Sequence, residues 1–366
     1  MRITGIRVEN FKSLRAFEMK EIPGFAVLVG ANGTGKSTFI DVFDFLKDCL
    51  QDNVRTALQR RGGFSQVVSR GCSDEAIVIE LRIAMSIEAF DSARTVTYRI
   101  EIEERDRRVA VRRETLRFTR AKAGGRPYHF IDFKNGEGEA LAESLDVDNL
   151  ETPAHEVKRE RQELDGPHLL ALKGLGQFRR FDAASQLREL IENWTVTDIH
   201  IDDARREPDA AVAEHLSESG DNIALYAQYL YEEHRTAFDA LIDDMSRYVP
   251  GVASVYPEDT GDGRVALRFE DRAFQQGFIA RAVSDGTIKM FAYLALLQDP
   301  DPHPLLCVEE PENQLYPSLL IHLAEQFAEY SRRRKGQAQV FVTTHSPDFL
   351  NAVPLESIYW LIKRDG

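Results

Sequence analysis

The run Gly30-Ala31-Asn32-Gly33-Thr34-Gly35-Lys36-Ser37 restricts the fold more than any other stretch of this chain. Its spacing is that of a phosphate-binding loop, and the motif is meaningful only between a strand and a helix. Both flanks are present. Phe25 to Val29 is a short apolar run of strand type. Thr38 to Leu50 carries Phe39, Val42, Phe43, Leu46 and Leu50 at helical spacing. Glycines let the backbone wrap a phosphate so that its N–H groups point inward, and a helix N-terminus adds a field that favours the anion. Gly30, Ala31, Asn32, Gly33, Thr34, Gly35, Lys36, Ser37 and Thr38 are therefore the candidate nucleotide-binding residues. Lys36 supplies a charge for the β- and γ-phosphates, and Ser37 a hydroxyl for Mg²⁺.

Two acidic or polar strand ends accompany the loop. Leu305 to Val308 is a buried-strand pattern that delivers Glu309 and Glu310, and in open α/β sheets ligands bind at that edge. Glu309 suits a Mg²⁺ shell, and Glu310 suits a general base acting on water. Val340 to Thr343 is a second such strand and ends at Thr344-His345-Ser346-Pro347, where His345 is placed to meet a γ-phosphate or a water. Ser284-Asp285-Gly286-Thr287 precedes an apolar helix. Ser284 is a good N-cap there, and Ser284 and Gly286 can offer donors to a phosphate.

Read in order, residues 2–9 and 15–19 are strands, and Phe64 to Val68 is a short extended segment. Residues 76–133 form an antiparallel meander. Residues 134–180 change character, and their charge run Lys158 to Glu163 reads as a solvated helix face. Helices are expected over 222–234, 236–249, 287–298 and 318–334, with strands over 194–201, 265–269, 305–308, 339–343 and 358–362. Strands alternating with helices in the last third predict a parallel sheet covered on both faces. The expected division is 1–133 and 220–366 as two parts of one head, with 134–219 as a partly helical insertion or lid.

Composition narrows the class. A net charge of −14 over 366 residues argues against a broadly basic nucleic-acid coat. Three separated cysteines suggest neither a zinc framework nor disulfides. No apolar run is long enough for a membrane span, and a cytoplasmic protein is expected.

The order of these motifs resembles the ABC-type ATPases of the RecF/SMC branch, above all stand-alone ATPases whose heads are similar to OLD-family proteins. The residues that carry the resemblance are Arg7 to Leu14, Val29 to Thr38, Gly220 to Ala224, Ser284 to Thr287, Glu309 to Pro317 and Thr343 to Pro347. It implies an α/β fold, a P-loop NTPase head with an antiparallel β lobe and a central mixed or parallel sheet. It implies ATP and Mg²⁺ as ligands, and Glu310, His345 and Lys36 as catalytic residues. Ser37, Glu309 and Gln66, the last at the Q-loop position, would hold the metal. It also implies a homodimer whose heads sandwich ATP, with Ser284 and Gly286 acting across the interface and Asn313 to Tyr316 as a D-loop. Lys12 and Ser13 would flank the nucleotide.

The chain departs from transporters in reading Val-Ser-Asp-Gly-Thr at the signature and Glu309 at the Walker-B acid. OLD nucleases carry a Toprim domain after the head, for which the residues after Ile362 leave no room. The expected function is ATP binding and hydrolysis that drives head dimerisation in phage defence or DNA repair. A separate effector such as a nuclease would do the work, with DNA or RNA as a further partner. The alternative is an ATP-dependent scaffold or sensor with little turnover. A nuclease in its own right would need the acids Glu137, Glu139, Glu143 and Asp146 to Asp148.

Overall fold

The computed structural model describes residues 1–85, 94–118, 128–141, 159–273, 277–333 and 338–363. The chain forms two compact units. The first comprises Met1–Gly24, Ala31–Trp194 and Leu361–Gly366, and the second Phe25–Gly30 and Thr195–Trp360.

The first unit is built on an eight-stranded antiparallel sheet. Its strands are β1 (Arg2–Phe11), β2 (Leu14–Lys20), β4 (Ile77–Met85), β5 (Arg94–Arg105), β6 (Arg108–Phe118), β7 (Tyr128–Lys134), β8 (Glu137–Leu141) and β9 (Arg159–Glu163). The order is β2-β1-β4-β5-β6-β7-β8-β9, so the meander expected from alternation is present and extends further along the chain. The unit also holds α1 (Lys36–Gln51), α2 (Val54–Arg60), α3 (Phe64–Val67), α4 (Ala171–Leu175) and α5 (Asp182–Glu192).

The apolar stripe of α1 explains its burial. Phe39, Phe43 and Phe45 are fully enclosed. They meet Phe17, Trp194 and Phe11 at ring separations of 5.6, 5.3 and 5.3 Å. Arg61, after α2, spans three acids of α1: Asp41 at 2.7 Å, Asp48 at 2.6 Å, and Asp44.

Two local expectations change here. Arg159 to Glu163 is an edge strand and not a helix face. Arg161 pairs with Glu137 at 3.3 Å and Arg159 with Glu139 at 3.5 Å across the β8–β9 ladder. Opposite charges set diagonally across the two strands stabilise this pairing, and a charged edge resists further strand addition. Phe64 to Val67 is a short helix and not extended. The Val68 N–H returns to the Phe64 carbonyl at 2.8 Å, while the Val67 carbonyl accepts the Lys12 N–H at 2.6 Å.

The second unit centres on a five-stranded parallel sheet in the order β10 (Thr195–Thr197), β14 (Leu305–Glu309), β15 (Gln339–Thr344), β3 (Phe25–Val29), β16 (Ile358–Trp360). β3, β14 and β15 are almost wholly buried, as their continuous apolar runs require of a sheet covered on both faces. A three-stranded antiparallel sheet joins β11 (Val252–Asp259), β12 (Val265–Asp271) and β13 (Phe278–Ile279). Of these the sequence pattern announced only β12.

The helices of this unit are α6 (Ile201–Ala204), α7 (Ile223–Glu233), α8 (Arg235–Tyr248), α9 (Asp285–Leu297), α10 (Pro317–Arg333) and α11 (Pro347–Asn351). Ile288 to Leu297 of α9 are buried on every face, so this helix passes through the core. Among the described residues no helix is long and apolar enough to cross a membrane.

Candidate nucleotide and hydrolysis site

In the first unit the loop from Ala31 to Gly35 feeds directly into α1. Gly33 and Gly35 have φ of 77° and 105°, in the region that favours glycine. A Cβ on Gly35 would lie 2.9 Å from Leu14 Cδ2 and 3.1 Å from Ser13 Oγ, whereas one on Gly33 would meet nothing within 4 Å. The loop is thus pressed against the β1–β2 turn on one side and open on the other.

The Ala31 carbonyl accepts from the Thr34 N–H at 3.3 Å, the Thr34 hydroxyl at 2.8 Å and Lys36 Nζ at 3.3 Å. Lys36, the first helical residue, is 5% exposed. Ala31, Asn32, Gly33 and Ser37 are exposed. This donor set fits a polyphosphate and a hard cation: a helix N-terminus, a lysine and an exposed hydroxyl.

The β1–β2 turn is anchored to α1 at two points. Ser13 Oγ and Thr38 Oγ1 are 2.8 Å apart, and Lys12 pairs with Asp41 at 2.6 Å. Gln66 is exposed on α3, and its Cγ would lie 3.1 Å from a Cβ on Gly62.

In the second unit the parallel register aligns three strand ends. Glu309 faces Thr343, and Thr344 faces Val29. Glu310, His345 and Gly30 therefore follow neighbouring strands at one C-terminal edge, the edge at which such sheets bind ligands. Neighbouring strands lie about 4.8 Å apart.

Glu310 has a φ of 39°, uncommon for a residue with a side chain. Its N–H donates to the Thr343 carbonyl at 2.9 Å. Its carboxylate lies 2.6 Å from His345 Nε2, and it accepts from Asn313 Nδ2 at 3.4 Å. The Glu310 and His345 side chains are about one-third exposed, at 32% and 34%. The His345 N–H donates to the Glu312 carboxylate. Sequence motifs separated by 33 to 35 residues thus form one polar cluster.

Ser284 caps α9, accepting the Thr287 N–H at 3.3 Å. A Cβ on Gly286 would lie 3.0 Å from the Gln314 carbonyl, so this glycine is the condition for the close approach of the α9 start to the 313–315 turn. Sequence reasoning missed Arg205 and Lys289 beside this motif. Arg205 bonds Asp285 at 2.6 Å and the Val283 carbonyl at 2.7 Å. Burial lowers the pKa of the Lys289 ammonium, against the pull of Asp198 and Glu312. A cavity of about 560 Å³ opens here, lined by Asp198, His200, Asp285, Lys289, Asn313 and Gln314. Arg205 is one of an adjacent arginine pair and Lys289 a lone lysine in an apolar helix, so only their tertiary neighbours distinguish them.

Of the acids considered for nuclease chemistry, Glu137 and Glu139 pair with Arg161 and Arg159 on β9. Glu143 and Asp146 to Asp148 lie outside the described residues.

The fold is similar to that of an SMC head bound to the C-terminal winged-helix domain of ScpA. The TM-score is 0.52 at 16% identity, over 96% of this chain and 92% of that one. Similarity extends to the SMC head domain from Thermotoga maritima (TM-score 0.44, 12% identity, 98% and 94% covered). It also extends to an SMC head with an extended coiled coil, bound to the C-terminal domain of ScpA derived from Pyrococcus furiosus (0.47, 14%, 96% and 92%). No curated protein matches the sequence. Residues 25–351 match the family described as "AAA domain, putative AbiEii toxin, Type IV TA system". The chain therefore belongs to this family of AAA domains, with a fold similar to that of an SMC head.

Proposed function

We propose that this protein is a Mg²⁺-dependent ATPase whose heads pair around ATP and separate after hydrolysis. The observation that carries this reading is the Glu310–His345 pair at the strand edge where Gly30 begins the phosphate loop. In this reading Lys36 neutralises the β- and γ-phosphates, and the N–H groups of Gly33 to Ser37 hold their oxygens. Ser37 and Glu309 would hold Mg²⁺, which supplies charge neutralisation at the phosphates. Glu310 takes a proton from the attacking water, and His345 orients that carboxylate. Ser284 and Gly286 act on the ATP held by a partner head, with Asn313 to Tyr316 lining the junction. Tyr316 is 75% exposed, as a residue awaiting a partner would be.

Membership of a family described as "putative AbiEii toxin, Type IV TA system" supports a place in defence; in this reading a separate effector performs the cutting step. A second reading, an ATP-dependent scaffold with slow turnover, is favoured by one detail. Glu310 is already engaged by both His345 and Asn313. A base held in this way must be released before it can act, and a partner or nucleic acid would supply that trigger.

The test is turnover and mass in solution. Lys36→Ala loses ATP binding. Glu310→Gln keeps it, accumulates an ATP-bound dimer, and hydrolyses slower by about 10²–10⁴-fold, the range usual for a lost general base. Unchanged turnover in Glu310→Gln would sink the assignment of the base. Fast turnover of the pure wild-type protein without DNA would sink the scaffold reading.

A further inference from the structure

We infer that His215, Asp299 and His303 form a binding site for a divalent transition metal of the zinc class. It is separate from the nucleotide chemistry and rests on none of it. One ligand atom from each residue lies within 4.8 Å of the other two. His215 Nδ1 is 2.9 Å from Asp299 Oδ2, and His303 Nε2 is 4.0 Å from the same oxygen. The two imidazole rings are 5.1 Å apart. A tetrahedral ion with zinc–ligand bonds of about 2.0–2.1 Å needs its ligand atoms roughly 3.3 Å from one another. The observed spacings straddle that value, so small side-chain rotations suffice.

The surroundings hold two of the three ligands in place. Asp299 is 1% exposed, and its other oxygen accepts the Asp301 N–H at 2.9 Å, which fixes the carboxylate plane. His303 stands between Pro302 and Pro304, whose rings restrict the backbone on either side. His215 is the adjustable member, with a side chain 44% exposed. Its loop is tied down by Asn222, which donates to the His215 carbonyl at 2.9 Å and accepts the Ser217 N–H at 2.8 Å. The exposed side of His215 gives an ion an entry path and leaves a fourth position for water.

The chemistry selects the ion. Two imidazoles and one carboxylate suit zinc, cobalt or nickel, whereas Mg²⁺ and Ca²⁺ prefer all-oxygen sites. A carboxylate this deeply buried also needs a compensating positive charge. His303 Nε2 approaches the same oxygen as His215 Nδ1, so the three ligand atoms converge on one point. Bound there, the ion would clip the loop before α7 to the connection that runs from α9 into β14, and so to the strand that ends in Glu309.

The test is titration of chelator-stripped, nucleotide-free protein with Zn²⁺ in excess Mg²⁺, read by calorimetry, with Co²⁺ absorption as an independent probe. The wild type is expected to take one ion per chain and to give the visible bands of tetrahedral Co²⁺. His215→Gln and His303→Gln should each weaken binding on the order of 100-fold or more, since even outer-shell partners are worth about 10–100-fold. Zn²⁺ should raise the unfolding temperature of the wild type and not that of either variant. Equal stoichiometry and affinity in wild type and variants, or no binding to the wild type, overturns the proposal. His215→Gln changes an exposed loop residue, so the comparison does not depend on the buried Asp299 being replaceable.

Discussion

Glu114 on β6 is a buried acid whose titration can be followed through stability. It is 1% exposed, yet its carboxylate accepts the Ala171 N–H at 2.5 Å, and the Leu172 N–H and Tyr98 hydroxyl each at 2.9 Å. Burial and hydrogen bonding oppose each other here. Burial favours the neutral acid, while the three donors favour the carboxylate. Burial wins and pushes the pKa up from 4.5 to about 7.

The folded state therefore binds a proton more tightly than the unfolded chain between these two values. Stability from this group is fully present below about pH 4.5 and is lost as pH rises through 7. A shift of that size corresponds to roughly 3 kcal/mol, which is about 6–12 °C for a unit of this size. Glu114→Gln removes the titration. It also turns an amide N–H₂ toward a backbone donor, at a pH-independent cost of about 1–3 kcal/mol.

The assay is thermal unfolding of wild type and variant from pH 5 to pH 8. The wild type should lose its lead over Glu114→Gln as pH rises, by most of those 3 kcal/mol. A constant difference would show that Glu114 does not titrate in this window. A lead that grows with pH would show that the three donors outweigh burial, reversing the reasoning.

Two further substitutions probe the loop and its helix. Gly35→Ala places a Cβ at a φ of 105° and 2.9 Å from Leu14. It should cost about 1–3 kcal/mol and weaken binding of a fluorescent ATP analogue, and unchanged stability and binding would refute the cradle. Arg61→Met leaves Asp41, Asp44 and Asp48 facing one another around a guanidinium site that is 8% exposed. Denaturant unfolding should register a loss of about 3 kcal/mol, at the low end for a broken buried pair because the acids are partly solvated. Arg61→Lys should recover only part of it, since one ammonium cannot span three carboxylates.

What the sequence revealed and what it concealed divide along physical lines. The phosphate loop, the acids after β14 and the histidine after β15 were readable because each is a local pattern: an apolar run ending abruptly in polar residues. Parallel register then aligns their ends, so their grouping followed from the sheet. The helical core of α9 was equally legible from its unbroken apolar stretch. β9 was misread because Arg159 to Glu163 is charged throughout, and only its partner β8, with Glu137 and Glu139, makes it a strand. β11 has no clean alternation and forms by pairing with β12. Glu114, Arg61 and the His215–Asp299–His303 group were invisible for a related reason. Arg61 and Glu114 meet partners 13 to 58 residues away, and His215 lies 84 and 88 residues from Asp299 and His303, so nothing local marks these groups.

The place of β3 in its sheet sets an order of events for the growing chain. β3 is the earliest strand of the parallel sheet to be synthesised, yet it lies in the interior, flanked by β15 at residues 339–344 and β16 at 358–360. Both of its edges therefore stay unpaired until some 300 further residues have left the ribosome. Pairings of such sequence separation are slow to form, and an apolar strand with open edges is prone to aggregate meanwhile. The strand that launches the phosphate loop is thus seated among the last, and a chain cut short before residue 339 would carry the whole motif without the sheet that supports it.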